Sequence, residues 1–311
     1  MTLSNLKKKK ILITGANGLL GQKIVRQILD EGIFDAIPSG LGECRLPEEL
    51  NISNWLTLDI RKKEQVMSKI GELKPDFIIH TAAMTNVDQC ESEKEACKTL
   101  NIQAVENLVE ASEKYNSHLI HLSTDFVFDG EGGPYTEEAT PNPINFYGWT
   151  KLEAENTIQA SNIKWSIVRT VLVYGIANDM SRSNIILWVK DSLDKGKSLQ
   201  LVNDQLRTPT LAEDLAAGCL LIAKKEAVGI YNISGKDLLT PYEMAIATAE
   251  YFNLDKSKIK ETNSLAFTQE AKRPMKTGFI IDKAINDLGY SPKSFMDGIG
   301  ILAKQLKLAN Y

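Results

Sequence analysis

Between residues 10 and 170, short apolar runs alternate with amphipathic stretches of helical period. KILITG (10–15), FDAIPS (34–39), WLTLD (55–59), DFIIHTAA (76–83), SHLIHLST (117–124) and WSIVRT (165–170) read as strands. Helical patterns fall between them, from about Gly18 to Glu31, over KKEQVMSKIGEL, over 98–115 and from about Phe146 to Ala160. That order predicts an α/β fold, a doubly wound parallel sheet of Rossmann type with helices on both faces. Ligands of such sheets bind beyond the carboxyl ends of the strands. Gly15, Asp59, the Thr81–Ala83 stretch, Thr124 and Arg169 all stand at such ends. After residue 170 the loops lengthen. Helices near 184–195 and 211–224 flank the short strand LQLV, and GIYNIS (229–234) reads as one more sheet strand. The tail shows a helix after Thr240 and another near 282–288. We expect residues 1–170 to form the sheet domain and 171–311 a smaller C-terminal lobe, with 210–235 returning to the sheet.

Composition narrows the class. A chain of 311 residues, 43% of them hydrophobic, buries a sizeable core. Its formal net charge of -4 and pI near 5.6 argue against nucleic acid or an anionic membrane as partner. No apolar run approaches the roughly 20 residues that span a bilayer, and no secretory leader pattern is visible. Cys44, Cys90, Cys97 and Cys219 are scattered, so reduced thiols in a cytoplasmic protein are expected. His80, His118 and His121 lie in strand-like runs and read as packed or edge histidines; no metal site is expected.

GANGLLG (15–21) follows a strand and opens a helix. Gly15 permits the turn, Gly18 admits a phosphate to the backbone, and Gly21 lets the helix approach the sheet. The helix N-terminus then offers N–H groups and a positive dipole to a pyrophosphate. Gly15, Asn17, Gly18, Leu19, Leu20 and Gly21 are therefore the candidate dinucleotide cradle. The second strand ends at Ser39, Gly40 and Leu41 without an acid, and Arg45 follows. Arg45 is either a partner for a 2′-phosphate or a solvated loop residue. NADPH is the expected cofactor, with NAD as the alternative.

FYGWTK sets Tyr147 four residues before Lys151, on one helix face. A phenol titrates near 10 unless a neighbouring cation stabilises the phenolate. Lys151 is expected to supply that cation. Thr124, at the preceding strand end, supplies a second hydroxyl beside it. Such a trio can protonate a carbonyl oxygen while hydride reaches its carbon.

GANGLLG, HTAAMTNVDQCE, STDFVFDG, YGWTK and NDQLRTPT together resemble an extended short-chain dehydrogenase/reductase, and within it the dTDP-4-dehydrorhamnose reductase family. The motifs run from residue 11 to about 215, with a looser echo at KRP (272–274). The resemblance implies that Thr124, Tyr147 and Lys151 are catalytic, with Tyr147 the proton donor to a 4-keto oxygen and Lys151 also on the nicotinamide ribose. It implies that Asp59 and Ile60 contact adenine, that Ala82, Ala83 and Thr85 line the cofactor, and that Asn101 organises the site. Asn101 alternatively bonds backbone as an ordinary helix residue. Thr124, Asp125 and Phe126 are candidate substrate contacts. Related dehydratases carry glutamate where Phe126 stands, so dehydration is disfavoured.

The match frays at NDQLRTPT, where Arg207 replaces a family glycine. Arg207 either grips a nucleotide diphosphate or braces its loop onto Asp214 or Glu213. Asn184 and Arg273 are further candidate substrate contacts. The expected activity is NADPH-dependent reduction of a nucleotide-linked 4-keto sugar, serving dTDP-L-rhamnose or cell-surface polysaccharide synthesis. A nucleotide-sugar epimerase and a cofactor-binding regulatory subunit, like that of methionine adenosyltransferase, are the alternatives. The expected partner is a nucleotide-sugar substrate, and a homodimer is compatible with the reading.

Overall fold

A computed structural model describes residues 7–180, 183–266 and 270–309. Its main sheet has seven strands, all parallel: β1 (Lys10–Thr14), β2 (Asp35–Gly40), β3 (Leu56–Thr57), β4 (Phe77–His80), β5 (His118–Thr124), β6 (Trp165–Thr170) and β10 (Gly229–Asn232). They lie in the order β10-β6-β5-β4-β1-β2-β3. The chain starts at the centre, winds outward through β2 and β3, then crosses back to β4, β5 and β6. This is the doubly wound sheet expected.

Alternation along the strands splits the core in two. Ile11, Ile13, Ile79 and Ile120 face α1 (Leu19–Glu31) and α8 (Ala212–Lys225). Leu12, Ile78, Leu119 and Ile167 face α2 (Lys63–Leu73), α5 (Ala104–Tyr115) and α6 (Phe146–Gln159). Each fully buried aliphatic side chain contributes about 1.5–3 kcal/mol to folding, so both faces are strongly fixed. At the carboxyl end of the second face the rows turn polar. Ser39, Thr14, His80 and His121 stand in register across four strands, and Ser123, Arg169 and Asn232 form the row beyond.

Several boundaries differ from expectation. The fourth strand stops at His80, and 81–86 form a loop before α3 (Val87–Ser92). The third strand shrinks to two residues. The helix read over 98–115 continues from α4 (Lys94–Lys98) through a π-turn at Thr99–Gln103 into α5. β7 (Val173–Tyr174) and β9 (Thr210–Leu211) pair as a small second sheet. The lobe packs α7 (Ile185–Asp194), β8 (Leu199–Val202), α9 (Pro241–Tyr251) and β11 (Ile259–Thr262) around two further clusters. Thr240 starts α9 with a full capping box to Glu243. The helix α10 (Phe295–Ala309), absent from the sequence reading, closes the chain and packs Ile299 and Leu302 into the lobe. Among the described residues no helix is long and apolar enough to cross a membrane.

Candidate active site at the carboxyl ends of the strands

The glycine loop joins β1 to α1. Gly15 sits at φ 73°, a conformation that glycine adopts without strain. Gly18 caps α1 in extended conformation with no side chain to occupy the first N–H groups, and the first turn holds no acid. A Cβ on Gly21 would lie 2.5 Å from the Gly15 carbonyl oxygen. An uncapped helix start behind a bare loop fits a pyrophosphate. Asn17 ties this loop to the next. Its amide donates to the Glu43 carbonyl (2.9 Å), and its oxygen accepts from the Arg45 N–H (2.8 Å). Arg45 therefore lies beside the cradle, with its half-exposed guanidinium 3.2 Å from Asp179. Leu20 packs into the core, and Leu19 touches Gly175.

The other predicted cofactor residues divide. The Ala82 backbone borders Gly15, and Ala83 and Thr85 continue that loop. Asp59 holds Arg61 through two bonds of 2.8 and 2.9 Å, and that guanidinium lowers the carboxyl below its usual range. Ile60 is buried, and its carbonyl accepts from Asn107. Asn101 is buried at the π-turn. Its oxygen accepts from Met84 N–H (2.8 Å), and its amide donates to the Met84 carbonyl (3.1 Å) and Thr150 Oγ1 (3.1 Å). It bonds backbone, but the backbone of the loop after β4, and so clamps that loop to α6.

Thr124, Asp125, Phe126 and Tyr147 come together above β5. Asn145 caps α6 by accepting from Gly148 N–H, which fixes where Tyr147 emerges. Gly148 is a requirement of that docking. A Cβ there would fall on the Phe126 carbonyl oxygen. The Tyr147 ring meets Phe126 edge to face at 6.0 Å, and the nearby Thr124 hydroxyl favours its phenolate. The Thr124 hydroxyl donates to Asp125 Oδ1 at 3.1 Å and accepts from Phe126 N–H at 3.2 Å. Asp125 is 3% exposed and accepts from Thr277; burial raises its pKa against the pull of Arg207.

Lys151 lies one turn behind Tyr147 and is 2% exposed. Its ammonium donates to the Leu122 carbonyl (2.7 Å) and to His121 Nε2 (3.0 Å). Burial lowers its pKa to about 8. The expectation that Lys151 would depress the phenol is corrected here. Burial raises the Tyr147 pKa, Asp125, Cys90 and Cys97 push the same way, and only Thr124 opposes them. These influences favour the neutral phenol, the form that donates a proton.

The remaining candidates are bonded within the fold. Arg207 is 5% exposed and does not reach Asp214 or Glu213, which bond Lys293 and Lys23. Its guanidinium donates to the carbonyls of Leu206 (2.7 Å), Met275 (3.0 Å) and Pro274 (2.6 Å), lies 3.8 Å from Asp125 and covers the Phe126 ring. It braces the floor of the site. Arg273 makes a two-pronged pair with Asp88 at 2.6 and 2.8 Å. Asn184 caps α7 and bonds the Gly175 carbonyl. Sequence reasoning missed Glu155, which is fully buried between Arg169 (2.7 Å) and Ser123. The available signal was spacing. His121 and Ser123 share a strand face, Lys151 and Glu155 share a helix face, and the two pairs meet.

A family model described as the RmlD substrate binding domain matches residues 9–308. The chain belongs to this family. Within the RmlD family, it is 31% identical to dTDP-4-dehydrorhamnose reductase of Aggregatibacter actinomycetemcomitans over 301 residues, 92% of this chain and 95% of that protein. It is 33% identical to methionine adenosyltransferase 2 subunit beta of Rattus norvegicus over 262 residues, 82% of this chain and 76% of that one. The solved structure of dTDP-4-dehydrorhamnose reductase from Bacillus anthracis, in complex with NADP, superposes with a TM-score of 0.83 at 27% identity. That match covers 96% of this chain and 100% of the other. The RmlD-family fold is therefore shared along nearly the whole chain, with reductases and the subunit beta proteins both among its relatives.

Proposed function

We propose that this chain reduces a nucleotide-linked 4-keto sugar with NADPH, as a cytoplasmic enzyme. The observation that carries the reading is that Tyr147 and Lys151 stand one turn apart and buried on α6, beside Thr124 at the end of β5. The glycine loop and α1 N-terminus suit the pyrophosphate of the cofactor, Arg45 beside that loop is the candidate partner for a 2′-phosphate, and Asn101 shapes the loop of Ala82, Ala83 and Thr85. NADPH, when bound, supplies the hydride. Tyr147 gives its proton to the substrate's carbonyl oxygen, and Thr124 holds that oxygen by a second hydrogen bond. Lys151 holds an ammonium one helix turn behind the phenol, as the candidate donor to the nicotinamide ribose. Phe126 and the Arg207 brace form an apolar and rigid floor, and Phe126 offers no carboxylate for removing water from a sugar.

The similarity to the subunit beta proteins favours a second reading, a cofactor-binding regulatory subunit. One substitution separates the two. With dTDP-4-keto-6-deoxy-L-mannose and NADPH, Tyr147→Phe is expected to lower kcat by about 100- to 10,000-fold while NADPH still binds. Absence of turnover by the unaltered chain with any nucleotide 4-keto sugar, together with capture of a partner protein that Tyr147→Phe leaves intact, replaces the first reading with the second.

A further inference from the structure

Three polar side chains cross the centre of the sheet and end on Lys151. Thr14 Oγ1 lies 2.7 Å from His80 Nδ1. The His80 ring lies against the His121 ring, centroids 5.2 Å apart and tilted by 32°. His121 Nε2 lies 3.0 Å from Lys151 Nζ. Strand register sets this row, because Thr14 pairs with His80 and His80 with His121. Both histidines are inside the protein, at 1% and 0% exposure. Their outer nitrogens, His80 Nε2 and His121 Nδ1, have no partner among the described residues.

The chemistry of the row has one consistent assignment at its end. An ammonium only donates, so His121 must accept at Nε2 and carry its proton on Nδ1. A second proton on His121 would leave two cations 3.0 Å apart in a buried site. The Leu122 carbonyl takes another donor, which leaves one of the three ammonium protons uncommitted.

We propose that His121 is a positioning residue: as a permanently neutral acceptor, it holds the Lys151 ammonium in place behind Tyr147 and keeps it charged. The role rests on the reductase reading for its purpose but on geometry alone for its mechanism. Two fixed acceptors convert a long, mobile side chain into a fixed charge with one donor uncommitted. The other charged or titratable groups around Lys151 are Glu155 on α6 and Cys97 on α4, with His80 behind His121. Glu155 is already committed to Arg169 and Ser123, and Cys97 lies against Thr150 and Asn101. Neither occupies the place of His121.

The test reads Lys151 directly. In protein labelled with nitrogen-15 at lysine, the Nζ resonance missing from Lys151→Met is followed through a pH titration. A neutral acceptor favours the charged form, so His121→Leu is expected to lower the Lys151 pKa by about one to two units. His121→Gln, which can present an oxygen, is expected to recover part of that shift. In the reductase assay the alkaline limb of kcat is expected to move down by the same amount, with KM for the keto sugar little changed. An unshifted Lys151 titration in a folded His121→Leu protein overturns the proposal. Should that variant not fold, His121→Asn, whose shorter side chain withdraws the acceptor, decides by the same criterion. Failure of the unaltered protein to turn over any keto sugar removes the reductase reading, and the lysine titration still decides the role of His121.

Discussion

Arg207 shows how a residue that looks functional in sequence can be taken up by the fold around it. Its fork of donors suits a diphosphate, but here the fork is filled by three carbonyls, with Asp125 beside it. Removing a buried cation from such a set leaves Asp125 uncompensated. Arg207→Leu is expected to cost about 3–5 kcal/mol of stability, measured by urea unfolding. Adding Asp125→Asn is expected to recover part of the loss, because the two sites are coupled. The Gly-x-x-Gly-x-x-Gly loop and the Tyr147–Lys151 spacing were legible because each is a local pattern tied to one turn or one helix face. The carbonyl partners of Arg207 lie up to 68 residues away, and those of Lys151 come from β5. No local pattern announces either.

At the scale of elements, the geometry of the candidate site is set by how α6 docks on the end of β5. The docking is tightest at Gly148, against the Phe126 carbonyl. Gly148→Ala must push the helix away from the loop that carries Thr124. The overpacking is expected to cost about 1–3 kcal/mol and the displacement to lower kcat by about 100-fold, with NADPH affinity held. Thermal unfolding and steady-state kinetics on the same variant check both numbers. The strands of the main sheet and most helices were readable from periodicity, whereas α10 was not. Gly298 and Gly300 stand in its first turns, and paired glycines lower helix propensity; packing onto the lobe overrides them. The short β7 and β9 were equally unreadable, since two-residue strands carry no period.

For the whole molecule, three buried neutral histidines link stability to pH. Burial lowers the pKa of His80 to about 3, that of His118 to about 4, and that of His121 well below its ordinary value. The unfolded chain binds protons at these sites near pH 6.5, while the folded chain does not. Stability is therefore full above pH 6.5 and is lost as pH falls from there toward 4. Each histidine is expected to take about 1.4 kcal/mol per pH unit across that window. Urea midpoints at pH 7, 6 and 5 measure the slope, and His118→Asn, remote from Lys151, is expected to reduce it by about one third. The Arg207 brace has a different consequence for how the molecule tolerates change. Three of its partners are main-chain carbonyls, which every residue type carries. In a saturation scan, Leu206 and Met275 can therefore accept many substitutions without loosening the floor of the cleft, while the arginine they hold accepts almost none.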